Sequence, residues 1–165
     1  PSWSPPRVPT AAVLSVAGEG LPLYIVKATT AAELRKINME EVIWGMLTYE
    51  QQNTIDTLAP THIQVPTGSR IRVDYRQGAE APVLSVRLQE CFGLTSTPCV
   101  DGGKRPVLME LLSPGFKPVQ LTQDLANFWQ STYFEVRKEL RRRYPKHHWP
   151  DNPLEAQAVR GVKRR

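Results

Sequence analysis

The sequence predicts an α+β chain: short helices at the N-terminal side, a five-stranded OB-like small barrel, and a long C-terminal helix ending in a basic tail. Three observations carry this reading. Apolar residues recur at helical spacing over 30–58 and again over 122–143, and they alternate with period two from 61 to 121. Turn residues separate the alternating runs, as Pro66-Thr67-Gly68-Ser69 and Pro114-Gly115 do. Five short strands with a helical turn between the third and fourth is the order of a small barrel, and a plain sheet packed on the final helix fits the same periods.

Residues 1–20 hold four prolines in the first nine positions, with Gly18-Glu19-Gly20 as further punctuation, and read as a weakly ordered lead-in. Residues 21–60 read as the end of a helical subdomain. Three helix starts are written as a capping side chain followed three residues later by Glu or Gln: Thr30 with Glu33, Asn38 with Glu41, and Thr48 with Gln51. Leu34 and Ile37 serve the first of these helices, Val42, Ile43, Met46 and Leu47 the second, Ile55 and Leu58 the third, and Pro60 closes the run.

Residues 61–121 form the predicted β-region. Ile63 and Val65 alternate with His62 and Gln64, and Ile71, Val73 and Tyr75 alternate with Arg70, Arg72 and Asp74. The second run is a strand with one wet, charged face. The third strand is 83–88, leading into a short helical turn at 88–93. The loop 95–105 ends in Asp101-Gly102-Gly103-Lys104-Arg105, and the fourth and fifth strands are 106–113 and 117–121.

The stretch 122–149 is expected to be one helix with an aromatic and basic cap. Thr122 suits its start, and Asp124 places a negative charge in its first turn. Leu125, Phe128, Trp129, Thr132, Tyr133, Val136 and Leu140 line one face, and Tyr144-Pro145 ends it because a proline disfavours helical backbone at the residue before it. Residues 150–165 read as a disordered basic tail.

Charge is unevenly placed. Residues 137–165 hold ten Lys or Arg against three acidic residues, +7, whereas residues 1–136 hold eleven against thirteen, −2. A local excess of this kind points to an anionic partner, and it equally suits a solvated tail. Hydrophobic residues at 41% and charged residues at 22% make a water-soluble globular mixture. No apolar run reaches eighteen residues, and the opening PSWSPPRVP lacks the order of a secretory signal, so a cytoplasmic location is expected. Cys91 and Cys99 are expected to be reduced, mostly buried thiols.

Catalytic signatures do not emerge from the residues. No GxxxxGK[ST] loop and no Gly-x-Ser-x-Gly elbow is written, and carboxylates are scattered rather than paired. His147, His148 and Asp151 offer metal donors, but adjacent histidines on a Pro-bounded loop rarely share one ion. The nucleic-acid signal is stronger. Arg70, Arg72, Arg87, Lys104, Arg105 and Lys117 lie on strands or loops of the β-region, and Arg137, Arg141, Arg142, Arg143 and Lys146 cluster with Tyr144, His147, His148 and Trp149. Cations neutralise phosphates and flat rings stack on unpaired bases, so the mixture suits single-stranded RNA or DNA. The same residues fit blander roles, with Arg70 and Arg72 solvating a strand and Trp149 folding back into the core.

The segments PTHIQVPTGSRIRVDY (60–75), VRLQECFGLTSTP (86–98), LLSPGFKPVQLTQDLANFW (111–129) and EVRKELRRRYPKHHWPDNP (135–153) resemble the C-terminal region of the HrpB family of bacterial DEAH-box ATP-dependent helicases. The resemblance covers residues 21–165. It implies a parent protein whose RecA-like motor domains lie N-terminal to this chain and use ATP and Mg there, with no cofactor bound here. It further implies a non-catalytic accessory region that holds a nucleic-acid strand or scaffolds the motor. The alternative is a protein-interaction module docking on the motor or another partner, without nucleic-acid contact. No motor motif has a matching position, so no catalytic residue carries over.

Overall fold

The structure, a computed structural model, describes residue 32 and residues 35–162. The chain divides into two compact units, Pro1–Ile55 and Asp56–Arg165.

In the first unit, α1 spans Met39–Met46 and α2 spans Tyr49–Leu58, the latter running into the second unit. The Asn38 side chain accepts from the Glu40 and Glu41 amides at 3.1 and 3.4 Å. Thr48 and Gln51 form a reciprocal box: the Thr48 amide donates to Gln51 Oε1 at 2.8 Å, and the Gln51 amide donates to Thr48 Oγ1 at 3.3 Å. Both starts are those expected from the sequence. The expected start at Thr30, and Leu34 of the first helix, lie outside the described residues. Gln52 Nε2 ties the two helices by donating to the carbonyls of Trp44 and Leu47, at 2.8 and 3.3 Å. Neither helix buries a residue.

The second unit holds β1 (His62–Gln64), β2 (Arg70–Asp74), β3 (Val83–Arg87), the short strands β4 (Cys99–Val100) and β5 (Arg105–Pro106), β6 (Leu108–Leu112) and β7 (Pro118–Thr122). The main sheet runs β1-β2-β3-β6-β7, antiparallel at every step except the parallel pair β3–β6. Alternation chose the faces correctly. Ile63 pairs with Ile71, and His62 and Gln64 pair with Arg72 and Arg70 on the opposite, wet face.

The expected OB-like barrel is not seen as a closed sheet among the described residues. β1 and β7 are the two edges of an open sheet. A crossover carrying the 3₁₀ turn Leu88–Glu90 and the β4–β5 hairpin returns the chain parallel to β3, which leaves β6 in the sheet interior with β7 outside it. Helices supply the cover that barrel closure would have supplied. Leu125, Phe128, Trp129, Tyr133 and Leu140 share one core with Val73, Leu84, Val86, Met109 and Leu111 of the sheet.

The single long helix is two: α3, Leu125–Gln130, and α4, Tyr133–Arg143. Asp124 rather than Thr122 caps the start, accepting from the Asn127 amide at 2.9 Å, while Thr122 completes β7. At the break, Ser131 Oγ donates to the Asn127 carbonyl at 2.7 Å, the same acceptor its own amide uses at 3.0 Å. Ser131 is the C-cap of α3, at φ −113° and ψ −71°, and its hydroxyl competes for the carbonyl that the helix ladder uses. The aromatic stripe survives the break, for Trp129 and Tyr133 meet edge-on with centroids 5.3 Å apart. Tyr144 ends α4 as expected, at φ −128° and ψ 64°.

The segment after Pro150, expected to be a disordered tail, is seated on the core as far as the structure describes it. The Gly93 amide donates to the Pro153 carbonyl at 2.9 Å and the Val159 amide to the Gln89 carbonyl at 3.0 Å, with Pro153 buried and Ala156 and Ala158 packed on the core. No described helix is long and apolar enough to cross a membrane.

Candidate nucleic-acid interface

The basic residues separate into three groups. Arg70 and Arg72 stand exposed on the wet face of β2, at the edge hairpin, opposite Gln64 and His62. Neither forms an ion pair among the described residues. Lys104 and Arg105 sit on the β4–β5 hairpin, whose turn uses positive φ at Asp101, Gly102 and Gly103. Both are exposed, and Arg105 Nε lies 4.0 Å from Asp101 Oδ2, a loose surface pair.

The third group surrounds the end of α4. Arg141, Arg142, Arg143 and Lys146 are exposed. Arg143 is 3.7 Å from Glu139 one turn earlier, a surface contact of little energetic weight. The helix C-terminus carries partial negative charge, which favours cations in this last turn.

Arg137, one turn before Arg141, is differently placed. Its side chain is 17% exposed, with one terminal nitrogen 2.5 Å from Asp151 Oδ1 and Nε donating to the Trp149 carbonyl at 3.1 Å. The Trp149 indole is itself a core residue, 7% exposed, with Nε1 donating to the Tyr144 carbonyl at 2.9 Å. Its burial leaves no open face for a base, and both residues act as fasteners of the segment 144–151.

Arg87 closes a buried polar network. Its guanidinium donates to Glu90 Oε1 from Nε at 2.8 Å and approaches it from a terminal nitrogen at 2.7 Å. Glu90 Oε2 accepts from Ser69 Oγ at 2.6 Å and from Thr67 Oγ1 at 2.9 Å. Burial pushes the Glu90 carboxyl up, but the hydrogen bonds from Ser69, Arg87 and Thr67 and the Arg87 charge outweigh it and hold the group below its ordinary range. The network pins the 66–69 turn to the 3₁₀ turn.

On its other side the Arg87 guanidinium lies over the Phe116 ring, 5.1 Å from the centroid. Phe116 is 66% exposed at the tip of the β6–β7 turn, followed by exposed Lys117. The turn abuts the end of α4: a Cβ on Gly115 would stand 2.7 Å from the Tyr144 hydroxyl. His147 meets Tyr144 edge-on at 5.9 Å, and its Nδ1 is 2.9 Å from Gln89 Oε1. Burial, and then the Arg87 charge, lower its pKa.

Of the candidates chosen from the sequence, the fold therefore links Arg87 to the turn that abuts the α4 end, where Arg141, Arg142, Arg143 and Lys146 lie. Arg70 and Arg72 belong to β2, and Lys104 and Arg105 to the β4–β5 hairpin. Phe116, which touches Arg87, was not among those candidates. Its signal was local: an aromatic side chain between Gly115 and Lys117, inside a four-residue turn where a core role is implausible. Among the described residues no three His, Cys, Asp or Glu side chains gather as metal ligands.

Residues 21–153 match the model of the ATP-dependent helicase C-terminal family, HrpB_C. The chain is 36% identical over 164 residues to the ATP-dependent RNA helicase HrpB of Escherichia coli strain K12, covering 99% of this chain and 20% of that protein. It thus spans about a fifth of the length of that relative. Two crystal structures share the fold. The E. coli DExH-box NTPase HrpB superposes with a TM-score of 0.75 at 40% identity, over 81% of this chain and 16% of that one. The E. coli DEAH/RHA helicase HrpB superposes with a TM-score of 0.60 at 39% identity, over 73% and 15%.

Proposed function

This chain belongs to the ATP-dependent helicase C-terminal family of HrpB, and from that premise we propose that it is a non-catalytic accessory region of an ATP-dependent helicase, holding single-stranded RNA or DNA beside the motor. The observation that carries the strand-binding reading is the exposed run Arg141, Arg142, Arg143 and Lys146 at the end of α4, whose one ion pair among the described residues is with exposed Glu139. Cations left in water at a helix end are available to phosphates at little desolvation cost. Arg70, Arg72, Lys104 and Arg105 extend the positive surface and suit weaker, backbone-only contacts. ATP and Mg act in the motor on this reading, so the purified chain hydrolyses no ATP, with or without RNA.

The test is fluorescence anisotropy of labelled single-stranded RNA against the 165-residue chain across a salt series. Each phosphate neutralised contributes about 0.7 to the slope of log K against log salt, so replacing Arg141, Arg142 and Arg143 with Ala lowers that slope by about 2. Flat anisotropy at low salt, with the chain folded, overturns strand binding.

A second reading, docking on the motor, is favoured by the first unit. Met39, Ile43 and Trp44 of α1 are 50%, 56% and 38% exposed, and a helix that buries nothing of its own suits a protein neighbour. The two roles use different residues and are compatible in one accessory region.

A further inference from the structure

We propose that Phe116 is a stacking platform that takes one unpaired base of the bound strand, a site that rests on the nucleic-acid reading above and gives it a second component besides charge. The argument starts from the backbone. Phe116 has φ 58°, the left-handed region that strains a side-chain-bearing residue. A large apolar side chain normally offsets such strain by burial, yet this ring is 66% exposed and belongs to no core. The fold holds an aromatic ring out in water on a strained turn.

The turn that carries the ring is tied down by hydrogen bonds. Buried Ser113 clamps the turn three times: its carbonyl accepts from the Phe116 amide at 2.9 Å, its Oγ accepts from the Lys117 amide at 3.1 Å, and its amide donates to the Lys117 carbonyl at 2.8 Å. Tyr144 backs the turn at Gly115. The guanidinium over the ring is fixed in its turn by Glu90. One side of the ring thus faces Arg87, and exposure of two thirds leaves ring surface for a second flat partner. A turn tied down in this way lowers the ordering cost of a stacking contact.

Its surroundings select a nucleotide rather than a neutral aromatic compound. Lys117 is the next residue, and Tyr144, which touches the turn, ends the helix that carries Arg141, Arg142 and Arg143. A base on Phe116 has the exposed Lys117 as chain neighbour of its platform, a cation for an adjoining phosphate. Every base has a flat face, so the site takes any of them, with single strands preferred because a paired base is already stacked.

The experiment compares a labelled oligouridine with an abasic oligonucleotide of equal length, binding each to the full 165-residue chain. Loss of one base–aromatic stack costs roughly tenfold in affinity. The unsubstituted chain should bind oligouridine roughly tenfold more tightly than the abasic strand, and Phe116→Leu should erase that difference without changing the salt slope. Phe116→Trp should restore it, with its emission quenched on saturation by oligouridine and not by the abasic strand; this readout also decides the matter should Phe116→Leu fold poorly. Equal affinities of Phe116→Leu and the parent chain for oligouridine would overturn the platform and leave the charge-based reading standing. Binding of neither oligonucleotide by the parent chain would overturn both.

Discussion

Tyr144 and Trp149 are joined by a hydrogen bond 2.9 Å long from the indole Nε1 to the carbonyl at the end of α4, so the chain beyond the helix folds back onto the helix itself. The His147 amide reaches the same carbonyl at 3.2 Å. One of the acceptors that every helix end leaves without an intrahelical partner is thereby satisfied by the segment that follows it. The aromatic ring that the sequence offers to nucleic acid serves instead to complete the core.

Trp149→Ala should therefore destabilise the chain by about 3–5 kcal/mol, the range for removing a large buried ring. Trp149→Phe should cost less, about 1–3 kcal/mol, through lost volume and the lost indole donor. Urea unfolding reads both. Single-stranded RNA affinity, measured where each variant is still folded, should be unchanged; a loss that exceeds the unfolded fraction would show that the indole meets the strand.

Arg137 makes the same distinction among cations. It is bound to exposed Asp151 and to the Trp149 carbonyl, whereas Arg141, one turn later, is open to water. Arg137→Ala should lower stability by about 1.5–3 kcal/mol, the range for a hydrogen bond to a charged group. Asp151→Asn should cost under about 1 kcal/mol, because that carboxylate is 92% exposed and returns to water. The salt slope of RNA binding should respond to Arg141→Ala and not to Arg137→Ala.

What the sequence made legible was local. The alternation of Ile63 and Val65, then Ile71 and Val73, placed strands to within a residue or two, and the stripe from Leu125 to Leu140 named the buried helix face. The break at Ser131 escaped because the stripe continues through it, and only the Ser131 hydroxyl's choice of acceptor reveals it. Barrel and plain sheet stayed undivided in the sequence because periods report faces, not neighbours; whether β6 lies beside β3 is decided by a crossover, not by any strand's own residues. The segment after Pro150 looked disordered because it is held by backbone hydrogen bonds from Gly93 and Val159 and by the small contacts of Pro153, Ala156 and Ala158, which composition does not encode. Among the site residues, charge was legible and exposure was not, as Arg137 and Arg141 show.

Glu90 supplies a pH dependence whose sign follows from its surroundings. Its carboxyl is held below the ordinary 4.5, burial being outweighed by Ser69, Arg87 and Thr67. A lowered folded-state value stabilises the fold above the unfolded value, and the contribution disappears as pH falls through the folded one. Stability should thus fall as pH drops below about 4.5. Glu90→Gln should flatten part of that fall, at a cost near neutrality of about 2 kcal/mol because Arg87 keeps its charge and loses its partner. Urea midpoints of the two chains from pH 7 to pH 3 make the comparison, and parallel curves would refute the assignment.

The two cysteines, expected to behave alike, should separate by reactivity. Cys91 is fully buried and Cys99 exposed, and both are free thiols. Burial, and then the Glu90 charge, push the Cys91 thiol up to about 12. The thiolate is the nucleophile, so Cys91 is protected twice, by access and by protonation. At pH 8 one equivalent of iodoacetamide should react quickly, at Cys99, and the second only in denaturant. The Cys91 rate then reports opening of the core it shares with Phe92 and Trp129. It should rise in parallel with any stability lost in Trp149→Ala, while the Cys99 rate stays fixed. Rapid alkylation of both thiols in the folded chain would place Cys91 outside a stable core.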